Sequence, residues 1–126
     1  MYQTSITGHS LFQATSFGYG EPIMTFGNTQ NGETPVSLVN IALASCVMMC
    51  IQGYYASQEG NQQIPIQVDS QLENGQFTLV IYLGETTSAT KQEKILAYVD
   101  QKCNVKALLR EDLTFKMIFA TLESVK

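Results

Sequence analysis

Three cysteines hold most of the chemistry open to this chain. Cys46, Cys50 and Cys103 are its only thiols, accompanied by a single histidine, His9, and a single arginine, Arg110. A thiolate is a nucleophile and a reductant, whereas a thiol packed among hydrocarbon is inert. Reactivity needs a cation, a hydrogen-bond donor or a base next to the sulfur. His9 is the only residue before Lys91 that could carry positive charge, and Arg110 is the only guanidinium. Each also has a plainer role. His9 follows Gly8 and reads as a solvated turn residue; Arg110 precedes Glu111 and Asp112 and reads as half of a surface ion pair. Cys50 lies four residues after Cys46, so on a helix the two sulfurs share a face. Both Cβ vectors then point the same way, a poor start for a disulfide. Two ligands on one face also fall short of a metal site, so Cys50 reads as core and no metal is expected. No G-x-S-x-G or G-x-x-x-x-G-K motif occurs, which excludes those hydrolase and phosphate-binding designs. No organic cofactor is implied.

The elements that must position these thiols follow from periodicity. “YQTSI” and “SLFQATSF” alternate as short strands, with Gly8-His9 expected as a two-residue turn between them. “PIMTFG” suits a third strand. Thr34-Pro35 then marks a helix start, threonine as N-cap and proline in the first helical position. From Pro35 to Ala56 there is no charged residue, and Gly60 ends the segment. Such a stretch is long enough to cross a bilayer. However, Ser37, Asn40, Ser45 and Gln52 punctuate it and no Lys or Arg flanks it, which favours a soluble core helix. A helix apolar around its whole circumference must be covered on every side, and one sheet covers one side only. The remaining faces call for a second copy of the chain, an intertwined homodimer.

Further along, Ile64, Ile66, Val68 and Leu72 alternate with polar residues, Asn74-Gly75 suits a type I′ turn, and Phe77, Leu79, Ile81 and Leu83 resume the alternation. “TKQEKILAYVDQKC” returns to helical spacing with Ile95, Val99 and Cys103 on one stripe, and Asn104 is expected to break the helix. “LTFKMIFATL” closes the chain as a strand. Strands, a long helix, a hairpin, further helices and a strand describe an α+β domain, single over residues 1–126.

Composition narrows the partners. Net charge is −4, and no Lys or Arg occurs before Lys91. Nucleic acid and anionic membrane surfaces both need a basic face, which is missing. Three cysteines at irregular spacing do not make a secreted disulfide framework, and the N-terminus lacks a secretory pattern, so a reducing cytoplasm is expected.

The segment “TPVSLVNIALASCVMM” resembles the “NP-x-x-L-(x)-A-x-A-x-C” helix of the OsmC/Ohr family, the osmotically inducible and organic hydroperoxide resistance proteins. “KCNVKALL” resembles the family's second cysteine motif, C-P-V followed by a short helix, and the element order is similar over nearly the whole chain. The resemblance implies an OsmC-like α+β homodimer in which two long helices pack inside antiparallel sheets drawn from both chains. It implies that Cys46 attacks an organic hydroperoxide and becomes a sulfenic acid, that Cys103 resolves it as a disulfide, and that a dithiol reductant reopens the bond. Family peroxidases activate the first cysteine with an arginine from the strands before the helix, held by a glutamate near the helix start. This sequence departs at both positions: no arginine precedes Arg110, and Val36 or Ser37 stands at the glutamate position. Glu33, His9 and Arg110 are left as candidate activating groups. Two functions follow. One is a thiol peroxidase serving oxidative-stress defence; the other is a non-catalytic dimer of the same fold binding a small apolar ligand.

Overall fold

The computed structural model describes residues 1–122 and divides the chain into two compact units, Met1–Val39 and Asn40–Lys126. In the first, β1 (Ser5–Thr7), β2 (Gln13–Phe17) and β3 (Ile23–Phe26) form an antiparallel sheet in sequence order. The expected Gly8-His9 turn is not the one adopted. Thr7 pairs with Thr15, and Phe12 takes a positive φ of 57°. The N–H of Gly27 bonds to the carbonyl of Phe12 at 2.9 Å, so pairing with β3 sets the register over the local turn preference.

Helix α1 (Pro35–Glu59) begins where Thr34-Pro35 predicts. The Ser37 N–H donates to Thr34 Oγ1 at 3.1 Å, and the Thr34 N–H to Ser37 Oγ at 2.7 Å, which satisfies donors left without an intrahelical partner. At the far end Gly60 has φ +66°, a conformation that costs glycine nothing.

The second unit is built on a sheet of β4 (Ile66–Glu73), β5 (Gln76–Leu83) and β6 (Thr114–Thr121), in that order. β4 and β5 form the expected hairpin, with Asn74 at φ 51° and Gly75 at φ 76° in the turn. The expectation of wholly antiparallel sheets fails at β6, which runs parallel to β5 from Gln76↔Thr114 to Leu83↔Thr121. A parallel neighbour needs a long crossover, and α2 (Ala89–Lys102) and α3 (Asn104–Leu108) supply it.

One cluster holds this unit together. Leu43, Val47, Ile51 and Tyr55 recur every four residues on α1 and are fully buried. They join the inward row of β5, namely Phe77, Leu79, Ile81 and Leu83, together with Ile95 and Val99 of α2. Each such side chain contributes about 1.5–3 kcal/mol relative to exposure, so this stripe fixes the rotation of α1 about its axis. Asn40 locks the same rotation by polar contacts: its Nδ2 donates to the Ser70 carbonyl at 3.0 Å and its Oδ1 accepts from Ser70 Oγ at 2.6 Å. Lys91 ties the helix ends, bonding Glu59 at 2.5 Å and Glu85 at 2.6 Å, while Tyr55 donates to Glu85 at 3.2 Å.

Candidate functional site

The core stripe decides where the α1 cysteines go. Cys46 and Cys50 stand three residues after Leu43 and Val47, so they lie about 60° to one side of the buried row. Cys50 is buried and Cys46 half-buried. Cys103 arrives from the other direction. It continues the Ile95 and Val99 stripe at the end of α2, where its N–H bonds to the Val99 carbonyl at 2.8 Å. Asn104 does not break the helix as expected. The break falls at Cys103 itself, whose φ of −77° and ψ of 102° are extended, and Asn104 opens α3. With its side chain not used as a cap, the Cys103 sulfur turns toward α1. All three Sγ atoms lie within 4.8 Å of one another.

The electrostatics separate the three thiols. Burial pushes the Cys46 thiol up, but N–H donation from Val105 and Asn104 and thiol donation from Cys103 and Cys50 bring it below its ordinary value. Cys50 is pushed up to about 12, first by burial and then by the charge that Cys46 and Cys103 can carry. Cys103 is also raised, chiefly by burial, against N–H donation from Lys106. The proton thus leaves Cys46 first, and its neighbours are donors to it. Cys46 opens onto a cavity of about 500 Å³ whose wall includes Ala42, Met49, Tyr98 and Lys102. Lys102 Nζ sits 5.9 Å from the centre of the Tyr98 ring.

Of the other candidate residues, Glu33 and Arg110 have polar partners of their own. His9 is exposed in the segment after β1, and Glu33 accepts from Ser37 Oγ at 2.8 Å beside the start of α1. Arg110 donates through Nε to Asp112 at 3.0 Å, with both side chains more than two-thirds exposed. The groups that lower the Cys46 thiol are therefore backbone N–H groups and thiols. Sequence reasoning missed those N–H donors, along with Tyr98 and Lys102. Cys50 lies in the buried core cluster, as expected, and the two sulfurs on one helix face become three once Cys103 is included. The signal available was the Cys46–Cys50 spacing; what it lacked was the approach of the α2–α3 junction.

No protein-family model matches the chain, and no curated protein does. Solved structures do match it, and the chain has the fold of OsmC-like and Ohr proteins. An OsmC-like protein from Mycoplasma pneumoniae superposes with a TM-score of 0.74 at 13% identity, covering 96% of each chain. An organic hydroperoxide resistance protein OsmC from Legionella pneumophila gives 0.64 at 14% identity, over 96% of this chain and 98% of that one. The organic hydroperoxide resistance protein OhrB of Bacillus subtilis gives 0.62 at 13% identity, over 94% and 98%.

Proposed function

We propose that the protein is a thiol peroxidase that reduces organic hydroperoxides, with Cys46 as the attacking residue and Cys103 as the resolving one. The observation that carries this reading is the pair of sulfurs within 4.8 Å, the first half-buried beside an open cavity and held below its ordinary pKa. In the first step the Cys46 thiolate takes the terminal oxygen of the hydroperoxide. The O–O bond breaks, the alkoxide leaves as the alcohol after gaining a proton, and Cys46 becomes a sulfenic acid. In the second, the Cys103 sulfur attacks Cys46, a disulfide forms and the hydroxyl leaves as water. A dithiol reductant returns both thiols. Apolar walls from Ala42 and Met49 favour a hydroperoxide with a hydrocarbon tail over hydrogen peroxide.

The working unit is an intertwined homodimer in the reducing cytoplasm, serving oxidative-stress defence. What supports the dimer is the uncovered apolar surface of α1, where Val39, Ile41 and Met49 are 39%, 44% and 67% exposed. Titration of the reduced protein with cumene hydroperoxide tests the activity. Two thiols should be lost per chain, Cys46→Ser should lose none to the peroxide, and Cys103→Ser should stop at the sulfenic acid. Retention of all thiols in excess peroxide would leave the second reading, a non-catalytic dimer whose cavity holds a small apolar ligand. That reading draws on the same apolar wall and on the engagement of Arg110 with Asp112.

A further inference from the structure

We propose that Cys46, Cys50 and Cys103 together form a three-sulfur site for a trivalent, thiophilic metalloid, with arsenous acid the simplest member of the class. The proposal does not depend on peroxidase activity and involves no change of oxidation state.

Three atoms no more than 4.8 Å apart all lie within about 2.8 Å of a common centre. A metal–thiolate bond is ~2.3 Å long, so small side-chain rotations close the gap. Cys46 and Cys50 are fixed on one face of α1, and Cys103 sits at the α2–α3 break with its side chain free of capping. The site is therefore assembled by three turns of backbone that the core already holds in place. Access is through Cys46, which lines the cavity of about 500 Å³ together with Cys50.

Charge selects the ligand. Cys50 and Cys103 are buried, and no carboxylate or imidazole joins the three sulfurs among the described residues. A divalent ion held by three thiolates would leave one net negative charge there, and a monovalent ion two, each with a desolvation cost. Arsenous acid avoids that cost. It is neutral, the thiols are neutral, and the product is neutral. Each of three condensations forms one As–S bond, breaks one As–O bond and one S–H bond, and releases one water. Burial, which opposes thiolate formation, does not oppose this reaction.

Non-denaturing mass spectrometry of the reduced protein with one equivalent of sodium arsenite decides the point. The adduct should weigh three waters less than protein plus arsenous acid, and Cys50→Ala should give an adduct lighter by two waters only. Arsenite affinity of Cys50→Ala, read by competition with a small dithiol, should fall about tenfold or more, equivalent to about 1.4 kcal/mol. Circular dichroism establishes that the variant is folded; if it is not, the wild-type adduct mass still decides. An adduct short by two waters in the wild type, no adduct at all, or an unchanged adduct in folded Cys50→Ala would each overturn the proposal. Tighter binding of Zn2+ than of arsenite under the same conditions would overturn the choice of a trivalent centre.

Discussion

Removing the Cys103 thiol while leaving its neighbours in place separates the two kinds of donor that favour the Cys46 thiolate. The N–H groups of Val105 and Asn104 belong to the backbone and survive any side-chain change; the thiol of Cys103 does not. A hydrogen bond to a charged group is worth about 1.5–3 kcal/mol. S–H is a weak donor and Cys46 is half-buried, so the lower end applies. Since about 1.4 kcal/mol is tenfold in an equilibrium, Cys103→Ala should lower the thiolate fraction of Cys46, and its alkylation rate near pH 7, about tenfold. Cys103→Ser replaces the S–H with an O–H and should restore most of the rate. The assay is alkylation by iodoacetamide across pH 5–10, with modification at Cys46 read by peptide mass spectrometry. In the wild type the Cys46 rate should reach half its plateau at a lower pH than for the unfolded chain, and Cys103→Ala should move that midpoint upward. An unchanged Cys46 rate in folded Cys103→Ala would refute the idea that the second cysteine tunes the first. A loss that Cys103→Ser fails to rescue would point instead to a packing defect around the deleted sulfur.

Three other outcomes follow from the same geometry. Cys50 and Tyr55 are each pushed up to about 12, Cys50 by burial and Tyr55 by burial and then Glu85. The folded chain keeps these protons after the unfolded chain has released them, so stability should fall as pH rises from about 9 to 12, by several kcal/mol in total, seen as a falling urea midpoint. Thr34→Ala removes the acceptor of the Ser37 N–H and should cost about 1 kcal/mol in thermal or urea unfolding. Gly75→Ala should cost about 1–2 kcal/mol through backbone strain alone, because the φ is +76° and an added Cβ would meet only Leu113 Cδ2, at 3.8 Å; Gly75→Asn should cost less.

Much of the architecture was legible because local chemistry and burial agree. Thr34-Pro35, Asn74-Gly75 and the alternation from Phe77 to Leu83 each carry their own stop or turn signal, and each element appears where those signals stand. Two of the failures share one cause. The first hairpin turn and the direction of β6 are settled by partners distant in sequence: Gly27 captures the backbone of Phe12, and β6 pairs with the strand that precedes the crossover. The α2 break is a local difference of one residue, at Cys103 rather than Asn104. A local preference worth a few tenths of a kcal/mol loses to either distant pairing.

The candidate site was half legible for the same reason. Sequence periodicity gives one stripe, Ile95 to Cys103 on α2, whereas α1 reads as apolar all round and its buried row from Leu43 to Tyr55 emerges only in the structure. Nor does periodicity say where the two rows cross. That depends on the crossover laying α2 over the sheet beside α1, and it is this crossing that turns Cys46, Cys50 and Cys103 from unrelated positions into one cluster. The groups that lower the Cys46 thiol include no arginine. The end of one helix and the opening of the next expose backbone N–H groups beside the Cys46 sulfur, and two neighbouring thiols complete its donors. N–H groups are common to all residues but proline and leave no compositional trace, so the lack of a cation in the sequence was weaker grounds against a reactive Cys46 than its residue types suggested.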